Sequence, residues 1–143
     1  MFRDTIEARF ENVGGCIERT QSYLLTEGID EFITSMCMLA LNEALNNIVE
    51  HSYQLSGDGD VELQVEINEG NLLFQVKDRG LAPPEELFAA SGDMPDPFGL
   101  PEGGWGLAVI DSVMDDIEYC AKDGMNQLDL VKRIDPCFAG TGG

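Results

Sequence analysis

Basic residues are scarce in this sequence: eight lysines and arginines stand against 27 aspartates and glutamates, a formal charge of −19 over 143 residues. A field of that sign repels polyanions, so DNA, RNA and anionic membrane surfaces are not expected partners. It suits a basic protein partner, and it equally serves solubility alone. Any phosphate-bearing ligand must then be neutralised mainly by something other than lysine and arginine. Histidine occurs once, as His51. The four cysteines, Cys16, Cys37, Cys120 and Cys137, include no Cys-x-x-Cys pair, and one histidine does not complete a zinc set. They read as reduced thiols, because a domain of this size buries roughly 68–70% of its unfolded surface and needs no disulfides. No run of about 18 apolar residues exists, and the opening "MFRDTIEARF" has no apolar core. The expectation is a soluble cytoplasmic protein without signal peptide or membrane span.

What is present organises itself into one domain over residues 1–143, with 43% hydrophobic content. "TIEARF" at 5–10 reads as a short strand and 13–25 as a helix that Gly28 closes, with Asp30 capping the next. From Glu31 to about Tyr53 runs the longest helical pattern, in which Met36, Ala40, Leu41, Ala44, Leu45, Ile48 and Val49 form one apolar face. The period then changes to two. Val61, Leu63, Val65 and Ile67 alternate with polar residues, and the turn "EGN" leads into "LLFQVKD", an antiparallel hairpin. Residues 80–104 lack periodicity, a length that is usually functional or mobile. "WGLAVIDSVMDD" at 105–116 reads as a third helix, "IEYCA", "KDGMN" and "QLDLVKRI" as a second hairpin, and 137–143 as a disordered tail. The predicted fold is α+β, a two-layer sandwich with helices on one face of a mainly antiparallel sheet.

Three places carry chemistry. In "LNEALNNIVEH", Glu43, Asn47 and His51 fall four apart on one helical stripe. Two oxygen donors a turn apart suit magnesium, and the carboxylate alternatively orients or deprotonates a nucleophile; an ordinary exposed helix face presents the same pattern. In "VKDRGLAPP", Asp78 ends a strand with Gly80 two residues on, so that a carboxylate can face a cavity and accept from an exocyclic amine. A plain Asp-x-Gly turn has the same sequence. In "EGGWGLAVI", Gly103, Gly104 and Gly106 surround a helix start, where backbone N–H groups can approach an anion without help from lysine or arginine; a flexible loop entering a helix reads the same way.

The order of these features, helix stripe, hairpin ending in Asp-x-Gly, long loop, then Gly-Gly-x-Gly opening a helix, resembles the histidine-kinase-like ATPase superfamily over about residues 10–134. "LALNEALNNIVEHSY", "VKDRG", "EGGWGLAVIDSVMDDIEY" and "GMNQLDLVKR" are most similar to the stand-alone anti-sigma-factor serine/threonine kinases. The resemblance implies Glu43 as catalytic carboxylate, Asn47 as magnesium ligand, Asp78 as the acid that reads adenine, and His51 beside the phosphates. It implies Gly80, Gly103, Gly104, Gly106 and Leu107 as the nucleotide cradle and 85–103 as a lid over ATP. It also implies phosphorylation of an anti-sigma-factor antagonist, binding of a sigma factor in a partner switch, and a homodimer. A module that holds nucleotide and sequesters a partner without phosphoryl transfer is the alternative, and a fold that has lost nucleotide binding a third reading. Two positions depart from the family pattern: Ala82 replaces the last glycine of the second box, and Trp105 stands where a smaller apolar residue is usual.

Overall fold

Alternating side chains and two-residue turns generate the sheet. The computed structural model describes residues 1–52, 59–80 and 107–134. In chain order these form β1 (Phe2–Glu7), α1 (Phe10–Thr26), α2 (Glu31–Asn47), a π-helical turn (Ile48–Ser52), β2 (Asp60–Asn68), β3 (Asn71–Asp78), α3 (Leu107–Val113), β4 (Asp116–Lys122) and β5 (Met125–Arg133). The five strands form one sheet in the order β1-β2-β3-β5-β4, every neighbouring pair antiparallel. Both hairpins close as expected. Glu69-Gly70 and Asp123-Gly124 adopt positive φ (25° and 84°, 55° and 77°), the conformation that two-residue turns need and glycine supplies without strain.

The period-two reading of β2 holds: Val61, Leu63 and Val65 are buried and meet Leu72, Phe74 and Val76 of β3 in a single core. The helices cover that face. On α2, Ala40, Leu41, Ala44 and Leu45 are buried, with Ile48 and Val49 continuing the set, while Met36 is only partly covered. The middle helix of the layer is α2, which packs against both α1 and α3. Its run Glu31–Glu50 has the length and mean hydropathy (1.2) of a membrane-crossing helix, but 56% of that window is buried inside the fold, so its apolar content is core. Asp30 caps α2 by accepting from the N–H groups of Phe32 (3.0 Å) and Ile33 (3.2 Å). Gly28 ends α1, its N–H donating to Leu25 O while Ile29 N–H reaches back to Leu24 O.

Several element boundaries differ from expectation. The first strand is Phe2–Glu7 rather than 5–10, running antiparallel to β2 from Phe2 opposite Val65 to Glu7 opposite Asp60. Phe10, the last residue of the expected strand, opens α1 and is exposed. The third helix ends at Val113, not at 116, because Asp115 donates its N–H to Val131 O and Lys132 Nζ donates to Val113 O (2.9 Å), tying off the last turn. The long helix is α-helical only to Asn47 and then widens into the π turn. Of the cysteines, Cys16, Cys37 and Cys120 are free thiols, and burial pushes the first two up to about 12; Cys137 and the tail 137–143 lie outside the described residues.

One buried group opposes the fold. Thr34 on α2 is fully buried and its Oγ1 has no hydrogen-bond partner among the described residues, whereas Thr20 on α1 donates to Cys16 O (2.8 Å). Leaving a hydroxyl dry costs about 1–3 kcal/mol. Thr34→Val therefore raises the stability by about 1 kcal/mol, a melting-temperature gain of roughly 2–4 °C for a domain of this size. A lower melting temperature for the variant would show that the hydroxyl is doing something the valine cannot.

Candidate functional site

Register decides what surrounds Asp78. Ile6, Val61, Asp78 and Asn126 form one cross-strand row through β1, β2, β3 and β5. Two members of that row are polar, and both are buried: Asp78 is 6% exposed and Asn126 5%. A buried carboxylate needs partners, and Asp78 Oδ1 has two. It accepts from the Gly80 N–H (2.9 Å) and from Asn126 Nδ2 (2.9 Å). The same Nδ2 donates to Gly80 O (2.9 Å), so the Asp-x-Gly turn is gripped from both sides. Asn126 Oδ1 accepts from the Tyr119 hydroxyl (2.9 Å), a diagonal contact between β4 and β5. Among the described residues Asp78 Oδ2 has no partner. Burial pushes the Asp78 carboxyl above the ordinary carboxylate range, a rise that the bonds from Asn126 and Gly80 offset in part.

The second group lies on the last turn of α2. Asn47 is 7% exposed, and among the described residues its amide has no hydrogen-bond partner. Glu43, one turn earlier, is half-buried on the same stripe. The core-facing residues between them, Ala44 and Leu45, hold that stripe in place. An amide oxygen placed one turn from a carboxylate is a donor set that fits magnesium, which binds through one or two protein oxygens and completes its shell with phosphates and water. The described residues contain no group of three or more His, Cys, Asp or Glu side chains able to cage a metal.

Glu43 and Asn47 keep helical spacing within α2; His51, the third member of the stripe, falls in the π turn Ile48–Ser52, and its side chain lies outside the described residues. Leu107 opens α3 by its backbone, its side chain likewise outside. Gly103, Gly104, Trp105, Gly106, Ala82 and the segment 85–103 also lie outside.

A cleft of about 420 Å³ runs past the same end of the sheet, lined by Thr5, Glu62, Lys77 and Arg79 among others. Thr5, Glu62 and Lys77 share a cross-strand row adjacent to that of Ile6, Val61 and Asp78, and therefore face the opposite side of the sheet from the helices. Asp78 is also among its lining residues, whereas Glu43 and Asn47 are not.

Sequence reasoning missed Asn126 and Tyr119. The signal was present: Asn126 is in phase with Leu128 and Leu130, which marks it as an inward-facing polar residue on an alternating strand. Starting the strand at Gln127 hid it. That it meets Asp78 depends on β5 returning beside β3, a pairing of residues 48 positions apart.

A family model described as the histidine kinase-like ATPase domain matches residues 6–132. The serine-protein kinase RsbW of Bacillus cereus (strain AH820) is 34% identical over 94 residues, covering 63% of this chain and 58% of that protein. The anti-sigma F factor of Clostridium beijerinckii is 27% identical over 100 residues, 66% of each. The chain thus spans a little over half the length of the curated RsbW relatives it matches. Among solved structures, the RsbU and RsbW domains of Rv1364c from Mycobacterium tuberculosis superpose with a TM-score of 0.61 at 20% identity, over 93% of this chain and 32% of that one. The catalytic domain of histidine kinase ThkA (TM1359) gives 0.56 at 14% identity, over 93% and 96%. At these identities the superpositions speak for the fold.

Proposed function

The chain belongs to the histidine kinase-like ATPase domain family, and from that premise we propose that it binds ATP and transfers the γ-phosphate to a serine or threonine of a small anti-sigma-factor antagonist. In the same reading it holds a sigma factor when the antagonist is phosphorylated, acts as a homodimer, and works in the cytoplasm. The names of its relatives, serine-protein kinase and anti-sigma F factor, support this reading. The observation that carries it is Asp78: a buried carboxylate with one oxygen occupied by Gly80 and Asn126 and the other without a partner among the described residues. An exocyclic amine such as that of adenine matches the free oxygen.

Phosphoryl transfer asks a protein mainly to position groups and to stabilise charge. Asn47 would hold magnesium, which when bound offsets phosphate charge that a chain with eight basic residues cannot. Gly103, Gly104, Gly106 and Leu107 contribute backbone N–H groups to the phosphates, Gly80 lets the chain turn beside the base, and His51 is a polar neighbour. Glu43 accepts the proton of the incoming hydroxyl as its oxygen attacks the γ-phosphorus. The bond from that phosphorus to the bridging oxygen breaks, and ADP departs with the electron pair.

The test is incubation with Mg-ATP and an anti-sigma-factor antagonist protein from the same organism, followed by intact-mass measurement of the antagonist. One added phosphate per molecule is the expected result. Normal ATP binding with no phosphate transferred overturns the kinase reading and leaves a nucleotide-holding module that sequesters its partner.

A further inference from the structure

We propose that Asn126 and Tyr119 are positioning residues that set which oxygen of Asp78 is offered to a nucleotide base, and so control selectivity for a 6-amino purine. The inference rests on the reading of Asp78 as the base-contacting acid.

The hydrogen bonds leave the Asn126 amide little freedom. Its Nδ2 donates to Asp78 Oδ1 and to Gly80 O, and its Oδ1 accepts from the Tyr119 hydroxyl, all at 2.9 Å. Turned over, the amide would set its oxygen against two acceptors, one of them a buried carboxylate, which is unfavourable in a dry environment. With both N–H groups committed, Asn126 does not itself read a base. Its effect reaches a ligand through Asp78: occupying Oδ1 leaves Oδ2 as the acceptor, and bonding Gly80 O holds the turn that runs beside it. Tyr119 acts one step further out, as the donor that satisfies the amide oxygen. The three side chains come from three strands, β3, β5 and β4, so the arrangement is as rigid as the sheet.

ATP and inosine triphosphate separate this role from a merely structural one, because they differ at the 6-position, where ATP carries an amine and inosine triphosphate an oxygen. Calorimetric titration of the full chain with each, in magnesium, should give a wild type that prefers ATP. Asn126→Asp keeps the shape of the side chain but replaces the donor by an acceptor. It should weaken ATP binding by about tenfold or more, as expected for losing a hydrogen bond to a charged group, while inosine triphosphate binding changes little. Tyr119→Phe should weaken ATP binding about threefold, a neutral hydrogen bond's share, with an unchanged melting temperature in the absence of nucleotide. An ATP preference that stays at the wild-type value in both variants overturns the proposal. So does an equal loss of affinity for the two nucleotides, which is what mere loosening of the fold would produce. A wild type without ATP preference overturns the reading of Asp78 itself, and this inference with it.

Discussion

Asp78→Asn weakens ATP binding about a hundredfold and leaves the unliganded protein at least as stable as the original. The two halves of this result have one cause. The carboxylate is 6% exposed and burial raises its pKa, so in the folded protein its charge is disfavoured relative to the unfolded chain. Asparagine keeps an oxygen to accept from Gly80 N–H and Asn126 Nδ2, the two bonds that Oδ1 makes now. It removes only the charge. The position of Oδ2, however, becomes an amide nitrogen that donates, and a donor facing an exocyclic amine is repelled. Affinity should fall by about a hundredfold, roughly 2.7 kcal/mol. In a thermal-unfolding titration the wild type, at 100 times its Kd, gains about 2.7 kcal/mol, and the variant gains almost nothing at that concentration. A full ATP-dependent shift in the variant would remove Asp78 from the site.

The same substitution predicts a pH dependence whose sign follows from linkage. A carboxyl raised in the folded state contributes stability that is fully present below its unfolded pKa and lost as pH rises through the folded value. The ordinary value here is 3.8, and the folded one lies above it. The unliganded wild type should therefore lose stability from about pH 4 upward across that interval, relative to Asp78→Asn, which lacks this step. Denaturant melts of the two proteins at a series of pH values read the difference directly.

Glu43→Gln should stop phosphate transfer without stopping ATP binding. The amide fills the same half-buried position a turn before Asn47 and keeps an oxygen, but it does not accept a proton at neutral pH. General-base assistance is worth about 10²–10⁴ in rate. Single-turnover transfer to the antagonist should fall by at least that lower figure, with the Kd for ATP within about threefold of the wild type. Transfer at the original rate would leave the kinase reading standing and take the proton-accepting role from Glu43. Loss of ATP binding in parallel would instead make Glu43 a ligand-holding residue.

Several elements are legible in the amino-acid order alone. Val61, Leu63 and Val65 alternate because one face of β2 is buried, and Asp123-Gly124 and Glu69-Gly70 close hairpins because those turns demand positive φ. Asp30 caps α2 through its own side chain. The stripe of Glu43 and Asn47 is likewise a property of one helix. All of these are local, set by residues within a few positions of one another, and local physics is what periodicity reads.

What failed to show locally has a common origin in contacts between distant segments. Phe10 looks like a strand residue until β1 is seen to leave the sheet at Glu7, and Asp115 looks helical until its N–H is seen bonded to Val131 O. The change from α to π winding after Asn47 leaves no mark in the apolar pattern, since Ile48 and Val49 stay buried through it. By itself the sequence determined the two-layer α+β architecture, the family, and the choice of Asp78, Glu43 and Asn47 as candidates. Only the tertiary structure decided which Asp78 oxygen is left without a partner among the described residues, because that depends on Asn126, held by Tyr119, reaching it from strands that the chain brings alongside β3 long after Asp78 has passed. Hydrogen bonds between strands follow register, and register between segments so far apart is a property of the assembled sheet.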